Sequence, residues 1–201
     1  MAVKERLLKV QHGLKNPVLN MEGISKTFSG VTVLNNVKIE LYPGEVHALM
    51  GENGAGKSTF MKILAGIHTP DDNGGKIYFK GQPTLWKDPV DARNKGICVI
   101  HQELNLSPNL TISENILMGS TFPRNGLGMV KWDEVHKSAQ KVLDSMGYNL
   151  SPRQLVSTLS VAQQQMVEIA RALSFKAEVL IMDEPTASLT DKEITKLFDI
   201  I

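Results

Sequence analysis

The segment that decides the fold is Gly51-Glu52-Asn53-Gly54-Ala55-Gly56-Lys57-Ser58, which fits the pattern G-x-x-x-x-G-K-[ST]. An apolar run from Val46 to Met50 precedes it and predicts a strand, and a helical pattern from Phe60 to Leu64 follows it. Glycines at such a junction let successive N–H groups face a phosphate above the helix N-terminus. The segment therefore predicts a P-loop for ATP and Mg²⁺.

The side chains of this loop have separate predicted roles. Lys57 reaches the β- and γ-phosphates and assists catalysis, and the Ser58 hydroxyl coordinates Mg²⁺. The whole predicted ATP-binding set of the loop is Gly51, Glu52, Asn53, Gly54, Ala55, Gly56, Lys57, Ser58 and Thr59. A plain turn that binds nothing is the alternative, but the Lys-Ser pair argues against it. A dinucleotide-binding loop needs no lysine at this position.

A second apolar run, Val179 to Met182, ends in Asp183 and Glu184. In a parallel sheet such a run carries its aspartate to the carboxyl edge, where ligands bind. Asp183 is expected to hold Mg²⁺, and Glu184 to polarise the water that attacks the γ-phosphate. Alone, the pattern would be read as a strand that caps the next helix. The upstream P-loop favours the catalytic interpretation.

Composition limits the class of protein. The 201 residues are 42% hydrophobic with a formal net charge of +1, which favours one globular unit and gives no basic field for nucleic acid. The only cysteine, Cys98, lies in an apolar run and is expected to fill the core. We expect no secretory signal and no membrane-spanning segment.

The order of patterns predicts an α/β fold with a mostly parallel core sheet. Strands at Val18 to Met21 and Val33 to Leu41, joined through a Ser29-Gly30 turn, are expected to be antiparallel, and further strands are expected at 76–80 and 96–100. A helical subdomain is expected at about 104–175, opened by a capping box at Thr111 and Glu114. Residues 1–16 are expected to be a leader, possibly disordered, and 17–201 one domain that is incomplete at its C-terminus.

The segment Leu159-Ser160-Val161-Ala162-Gln163-Gln164-Gln165 resembles the signature sequence of ABC transporters, which elsewhere reads Leu-Ser-Gly-Gly-Gln. From the residues alone, Ser160 and Gln163 form a capping box at the start of a helix, which is a good anion site. The resemblance implies that Ser160, Val161, Ala162 and Gln163 face the γ-phosphate bound by an opposing nucleotide-binding domain. Val161 and Ala162 replace the usual glycines. The implied fold is that of an ABC ATPase, a P-loop NTPase with an inserted helical subdomain.

Three further positions are similar to motifs of that family. Gln102 resembles the glutamine that contacts Mg²⁺ and links the core to the helical subdomain, so the resemblance implies a metal-binding and catalytic role. Phe28 matches the aromatic residue that stacks on adenine. Thr190 stands where the family usually has an aspartate.

The amino-acid sequences of the motifs are similar to those of monosaccharide importers of the ribose and galactose type. The resemblance implies an ATPase at the cytoplasmic face of the inner membrane, peripheral through a transmembrane permease. An extracytoplasmic sugar-binding protein and a second nucleotide-binding domain are its implied partners, and nucleic acid is not. Two alternatives stay open: an inactive truncated nucleotide-binding fragment, and a soluble ABC protein that works without a permease.

Overall fold

The computed structural model describes residues 16–101 and 104–183, with residues 194, 195, 197 and 198. The described residues form two compact units. The first contains residues 16–60 and 69–85, and the second contains residues 61–68 and the described residues from 86 onward. The leader, the domain limits and the subdomain limits inferred from the sequence stay predictions.

The first unit is built on an antiparallel sheet with strand order β2-β1-β3-β4. Its strands are β1 (Leu19–Phe28), β2 (Val31–Leu41), β3 (Lys76–Phe79) and β4 (Gln82–Pro83). Ser29 and Gly30 both have positive φ, 48° and 83°, as a tight hairpin turn with the twist of its strands requires. The predicted antiparallel N-terminal strands are confirmed, although β1 runs seven residues beyond the expected end at Met21.

The prediction of a strand from Val46 to Met50 is wrong, because no described strand includes these residues. They follow a turn in which the Glu45 amide donates to the Tyr42 carbonyl over 3.1 Å. Val46, Leu49 and Met50 are 68%, 42% and 86% exposed. An apolar run supplies β propensity, but a strand also needs a paired neighbour and burial of its side chains. Neither follows from local sequence.

The second unit combines four short or medium helices with a parallel strand pair. After helix α1 (Lys57–Leu64), its elements are α2 (Pro89–Asn94), β5 (Ile97–Ile100), α3 (Ile112–Leu117), α4 (Trp132–Ser145), a 3-10 turn (Val156–Thr158), α5 (Val161–Ser174) and β6 (Val179–Met182). The predicted capping box of Thr111 and Glu114 is present at the start of α3. No described helix is both long and apolar enough to cross a membrane.

Strands β5 and β6 pair in parallel, with Ile97 opposite Val179 and Ile100 opposite Met182. This pair confirms the α/β class that the sequence predicts. Cys98 lies on β5 with 4% exposure, and burial raises the pKa of its thiol. The cysteine fills the core, as expected, and is poorly suited to act as a thiolate.

The core of the second unit gathers around α5, which contacts α3, α4 and β5. Met166, Ile169 and Ala170 of α5 are fully buried with Ile116 of α3. Asn115 is also fully buried, and its side-chain amide makes two hydrogen bonds with the backbone of Ser107. Its Oδ1 accepts from the Ser107 N–H (2.8 Å), and its Nδ2 donates to the Ser107 carbonyl (3.0 Å). The loop before α3 is therefore attached to the helix core through a satisfied polar side chain.

Helices α3 and α4 also meet through a histidine. His136 Nδ1 lies 2.8 Å from the hydroxyl of buried Ser113, and its ring stacks on Trp132 at 6.2 Å between centroids. Burial is the main cause that lowers the pKa of His136, and the charge of Arg153 lowers it further. Asp133 and Glu114 act in the opposite direction. The neutral imidazole is therefore the form that fits the folded protein.

We expect this histidine to weaken the fold in mild acid. Because the pKa of His136 is lower in the folded protein than its ordinary value of 6.5, the unfolded chain binds more protons below that pH. The free energy of unfolding should then fall as the pH drops below about 6.5 and through the folded pKa. Urea denaturation between pH 7.5 and 5 should show a smaller fall in His136→Phe than in the wild type. Parallel curves for wild type and His136→Phe would contradict the assignment.

Candidate nucleotide-binding site

The loop from Gly51 to Ser58 lies in the first unit apart from the strands and leads directly into α1. Gly54 and Gly56 adopt positive φ of 83° and 87°, which bends the backbone twice within three residues. The amide of Ala55 donates to the carbonyl of Glu52 over 3.1 Å and closes the intervening turn. Helix α1 begins at Lys57, so the unpaired N–H groups and positive dipole end of its first turn lie at the loop.

The two glycines meet different surroundings. A Cβ on Gly56 would lie 2.7 Å from Leu34 Cδ2 and 2.9 Å from the Val33 carbonyl oxygen, both on β2. A Cβ on Gly54 would meet nothing within 4 Å. Gly56 is therefore needed for its conformation and for close packing, whereas Gly54 is needed for its conformation alone.

Lys57 folds back across the start of the loop. Its ammonium donates to the carbonyls of Gly51 (2.6 Å) and Glu52 (2.9 Å). An ammonium has three protons, so these two bonds leave one for an anion held by the loop. Ser58 is exposed in the first turn of α1, and Thr59 is half-buried. The positive φ of its two glycines is consistent with a phosphate-binding loop, and the phosphate and Mg²⁺ contacts themselves stay predictions.

Phe28 lies at the end of β1 in the first unit and is 37% exposed. The ammonium of Lys26 lies 5.5 Å from its ring centroid and also pairs with Asp71 at 3.3 Å. A partly exposed ring steadied by a cation suits the stacking of a planar base. The adenine contact implied by the resemblance stays a prediction.

The signature segment opens α5 in the second unit. Ser160 is the N-cap residue: its Oγ accepts from the Gln163 amide at 3.3 Å, and the Gln163 side chain accepts from the Ser160 amide at 3.0 Å. The predicted capping box is confirmed. Val161 and Ala162 form the first turn of the helix, Val161 being 54% exposed. Because these two residues are helical, the local backbone does not require glycine there.

Asp183 follows β6 at the carboxyl edge of the parallel pair. Its amide donates to the Ile100 carbonyl over 3.1 Å, which extends the ladder by one step, and its side chain is half-buried. His101 leaves β5 at the same edge and is exposed. Gln102 and Glu184, the second residue after each strand end, lie outside the described residues, so their predicted roles stay predictions.

The predicted site residues that the structure describes are divided between the two units. Phe28 and the loop belong to the first unit, while the signature residues and Asp183 belong to the second. A magnesium site shared by Ser58 and Asp183 therefore stays a prediction, although hydroxyl and carboxylate oxygens are suitable ligands for that ion.

Sequence reasoning missed Glu168. This residue lies in the middle of the apolar face of α5 with 7% exposure, between Val167 and Ile169, which are fully buried. Burial raises the pKa of its carboxyl group, and a hydrogen bond from Asn105 opposes this shift. A charged residue at a core position of a helical pattern was the feature that could have indicated it.

Comparison with known proteins agrees with the order of these motifs. Residues 34–187 match the family described as ABC transporter. The chain belongs to the ABC transporter family. It is 50% identical over 185 residues to a ribose import ATP-binding protein of Streptomyces avermitilis, covering 92% of this chain and 36% of that protein. A ribose import ATP-binding protein of Caldanaerobacter subterraneus is also 50% identical, with 92% and 37% covered.

The chain thus spans about a third of the length of the curated relatives it matches. Among solved structures, an ATP-binding cassette of an ABC transporter in its ADP conformation aligns with a TM-score of 0.76 and 29% identity. That alignment covers 92% of this chain and 75% of the solved one. A nucleotide-free ATP-binding cassette aligns equally well, at 0.76 and 28% identity. The ABC ATPase fold inferred from the signature segment is confirmed.

The unequal surroundings of the two loop glycines give a direct test of the loop. Gly54→Ala should cost only the strain of positive φ, about 1 kcal/mol of unfolding free energy. Gly56→Ala should cost about 3 kcal/mol, since the methyl group also overlaps β2. Urea denaturation of both variants measures the difference. Equal losses would show that Gly56 does not pack against Leu34 and Val33 as described.

Proposed function

We propose that this chain binds MgATP and forms the ATP-hydrolysing part of a subunit that drives carbohydrate import. The observation that carries the proposal is the loop before α1. Two of its glycines have positive φ, and the ammonium of Lys57 folds back onto its carbonyls, as a phosphate-binding loop would need. The relatives named for ribose import, half identical over nearly the whole chain, support the choice of a sugar importer.

The proposed site uses each residue for one task. The loop amides and Lys57 hold the phosphates, Phe28 stacks on adenine, and Ser58, Gln102 and Asp183 hold Mg²⁺. The ion, when bound, neutralises charge on the β- and γ-phosphates. Glu184 orients the attacking water. Since phosphoryl transfer needs little covalent help from the protein, positioning and charge stabilisation would supply most of the rate enhancement.

The proposed partners follow from the same assignment. A transmembrane permease would bring the chain to the cytoplasmic face of the membrane, and an extracytoplasmic sugar-binding protein would deliver the substrate. The Ser160 end of α5 would face the nucleotide of a second nucleotide-binding domain. In this proposal residues 17–201 belong to one nucleotide-binding domain, with a helical subdomain at about 104–175.

Nucleotide binding is tested by calorimetry of the 201-residue chain with MgATP. Lys57→Ala should weaken binding at least about 30-fold, because it removes a charge-assisted contact to phosphate. Lys62→Ala changes an exposed lysine in the last turn of the same helix and is the matched control. It should change the dissociation constant by less than about twofold. Equal effects of the two substitutions would refute the proposed phosphate site.

Hydrolysis and transport are tested in the full-length subunit reconstituted with its permease in vesicles. Glu184→Gln should keep MgATP binding and reduce ATP turnover at least about 100-fold, because it removes the group that polarises water. Uptake of labelled ribose should fall with turnover. Unchanged turnover would remove Glu184 from catalysis, and hydrolysis without uptake of any sugar tested would favour a soluble ABC protein. Binding without turnover in the 201-residue chain would favour the inactive fragment.

A further inference from the structure

A hairpin between helices α3 and α4 presents large apolar side chains to solvent. Residues 122–132 turn back on themselves through an antiparallel bridge between Arg124 and Val130, and we name this segment the 122–132 hairpin. Leu127 and Met129, at its turn, are 84% and 58% exposed. Neighbouring exposed side chains of this size are unusual on a soluble protein and indicate an interaction surface.

Hydrogen bonds fix the turn of the hairpin. The Asn125 side chain accepts from the amides of Leu127 and Met129, both at 3.0 Å. The Arg124 side chain donates to the Gly128 carbonyl over 2.6 Å, and the Asn125 amide donates to the Met129 carbonyl over 2.9 Å. These bonds hold the apolar side chains at the surface. Because the turn is already ordered, it loses little conformational entropy when it binds a partner.

Aromatic side chains at the base of the hairpin extend the apolar surface. Trp132 is 47% exposed, and its ring centroid lies 6.1 Å from that of Phe122 and 6.2 Å from that of His136. Tryptophan is enriched at membrane–water interfaces, because its ring is apolar and its N–H is polar. An apolar turn close to a partly exposed tryptophan is typical of a segment that enters the edge of a bilayer.

The charges of the hairpin favour lipid over protein as the partner. Residues 119–132 contain two basic residues, Arg124 and Lys131, and no acidic residue. The acidic residues that follow, Asp133 and Glu134, each belong to an ion pair. A basic hairpin with an apolar turn is complementary to anionic lipid headgroups above acyl chains. A specific protein interface usually needs about 20 residues on each side, more than this hairpin contains.

We propose that the 122–132 hairpin contacts an anionic lipid surface. Leu127 and Met129 enter the boundary between the headgroups and the acyl chains, while Arg124 and Lys131 bind lipid phosphates. The guanidinium of Arg124 has five N–H donors, and its bond within the hairpin uses one of them. That a membrane lies within reach of this chain rests on the proposed function.

The hairpin is too small to anchor the protein by itself. A single myristoyl chain gives a membrane association constant of only about 10⁴ M⁻¹, and the side chains of one turn insert less apolar surface than that chain. The lipid contact is therefore weak and reversible. It becomes effective when another contact already holds the chain near the membrane, because a high local concentration then compensates for low affinity. Its role is to orient a chain that is already at the membrane.

Insertion is tested by fluorescence of the 201-residue chain with millimolar vesicles of equimolar phosphatidylcholine and phosphatidylglycerol. The chain has two tryptophans, of which Trp132 is in the hairpin and Trp86 is buried with 3% exposure. The emission should shift to shorter wavelength when vesicles are added, and lipids brominated in the acyl chain should quench it. Trp132→Phe should abolish both effects. Wild-type emission that vesicles leave unchanged would overturn the proposal.

The apolar contribution is tested by vesicle binding of two serine variants. Leu127→Ser should weaken binding at least about threefold, because it removes an inserted apolar side chain. Val90→Ser is the matched control, since Val90 is 53% exposed on α2. It should leave binding unchanged. Equal effects of the two substitutions would refute insertion of the hairpin.

The charged contribution is tested with anionic and neutral vesicles. Arg124→Gln should weaken binding to the anionic vesicles about fivefold and leave binding to pure phosphatidylcholine unchanged, because it removes one charge near the surface. Arg124→Lys keeps the charge and should restore most of the binding. Lys141→Gln changes an exposed lysine further along α4 and is the matched control, with no expected change. Wild-type binding that is no stronger to anionic than to neutral vesicles would refute an anionic lipid surface as the partner.

Further outcomes separate this proposal from others. Thermal unfolding checks that each variant is folded, and if Leu127→Ser does not fold, quenching of wild-type Trp132 by brominated lipid still decides. If vesicles leave the Trp132 emission unchanged and solubilised permease shifts it, the hairpin docks on protein and the lipid contact is refuted. A chain that binds vesicles but not MgATP would refute the proposed function and support the lipid contact, whereas a chain that binds MgATP but not vesicles would refute the lipid contact alone.

Discussion

The buried face of helix α5 constrains the second unit more than any single polar contact. Met166, Ile169 and Ala170 are fully buried, and each large apolar side chain removed from water contributes about 2 kcal/mol. At the C-terminal end of α5, the Ser174 hydroxyl donates to the Ile116 carbonyl of α3 over 3.1 Å. The rotation of α5 about its axis is therefore fixed.

Features that depend on neighbouring residues could be predicted from the sequence. The capping boxes at Thr111 and Ser160 were predicted correctly because both partners lie within three residues of each other. The Ser29-Gly30 turn and the loop glycines belong to the same class, since positive φ selects glycine locally. The parallel pair was predictable in a different way, because two short apolar runs ending in polar residues are typical of buried parallel strands.

Features that depend on distant residues could not be predicted. The run from Val46 to Met50 has the composition of a strand, but pairing and burial decide whether it forms one, and its side chains are exposed. Glu168 was missed for a related reason, because its partner Asn105 lies 63 residues away in the sequence.

The N-termini of α1 and α5, both used in the proposed site, are built differently, and this difference affects how strongly each could bind a phosphate. At α1, positive φ at Gly54 and Gly56 turns the backbone itself towards a ligand, so several amides can share the oxygens of one phosphate. At α5, the Ser160 side chain already accepts from the Gln163 amide, so its oxygen is used in capping the helix. Several fixed amides and a lysine bind more strongly than one hydroxyl at a helix end. In the proposed site most of the affinity for nucleotide therefore comes from the α1 loop rather than from the α5 end.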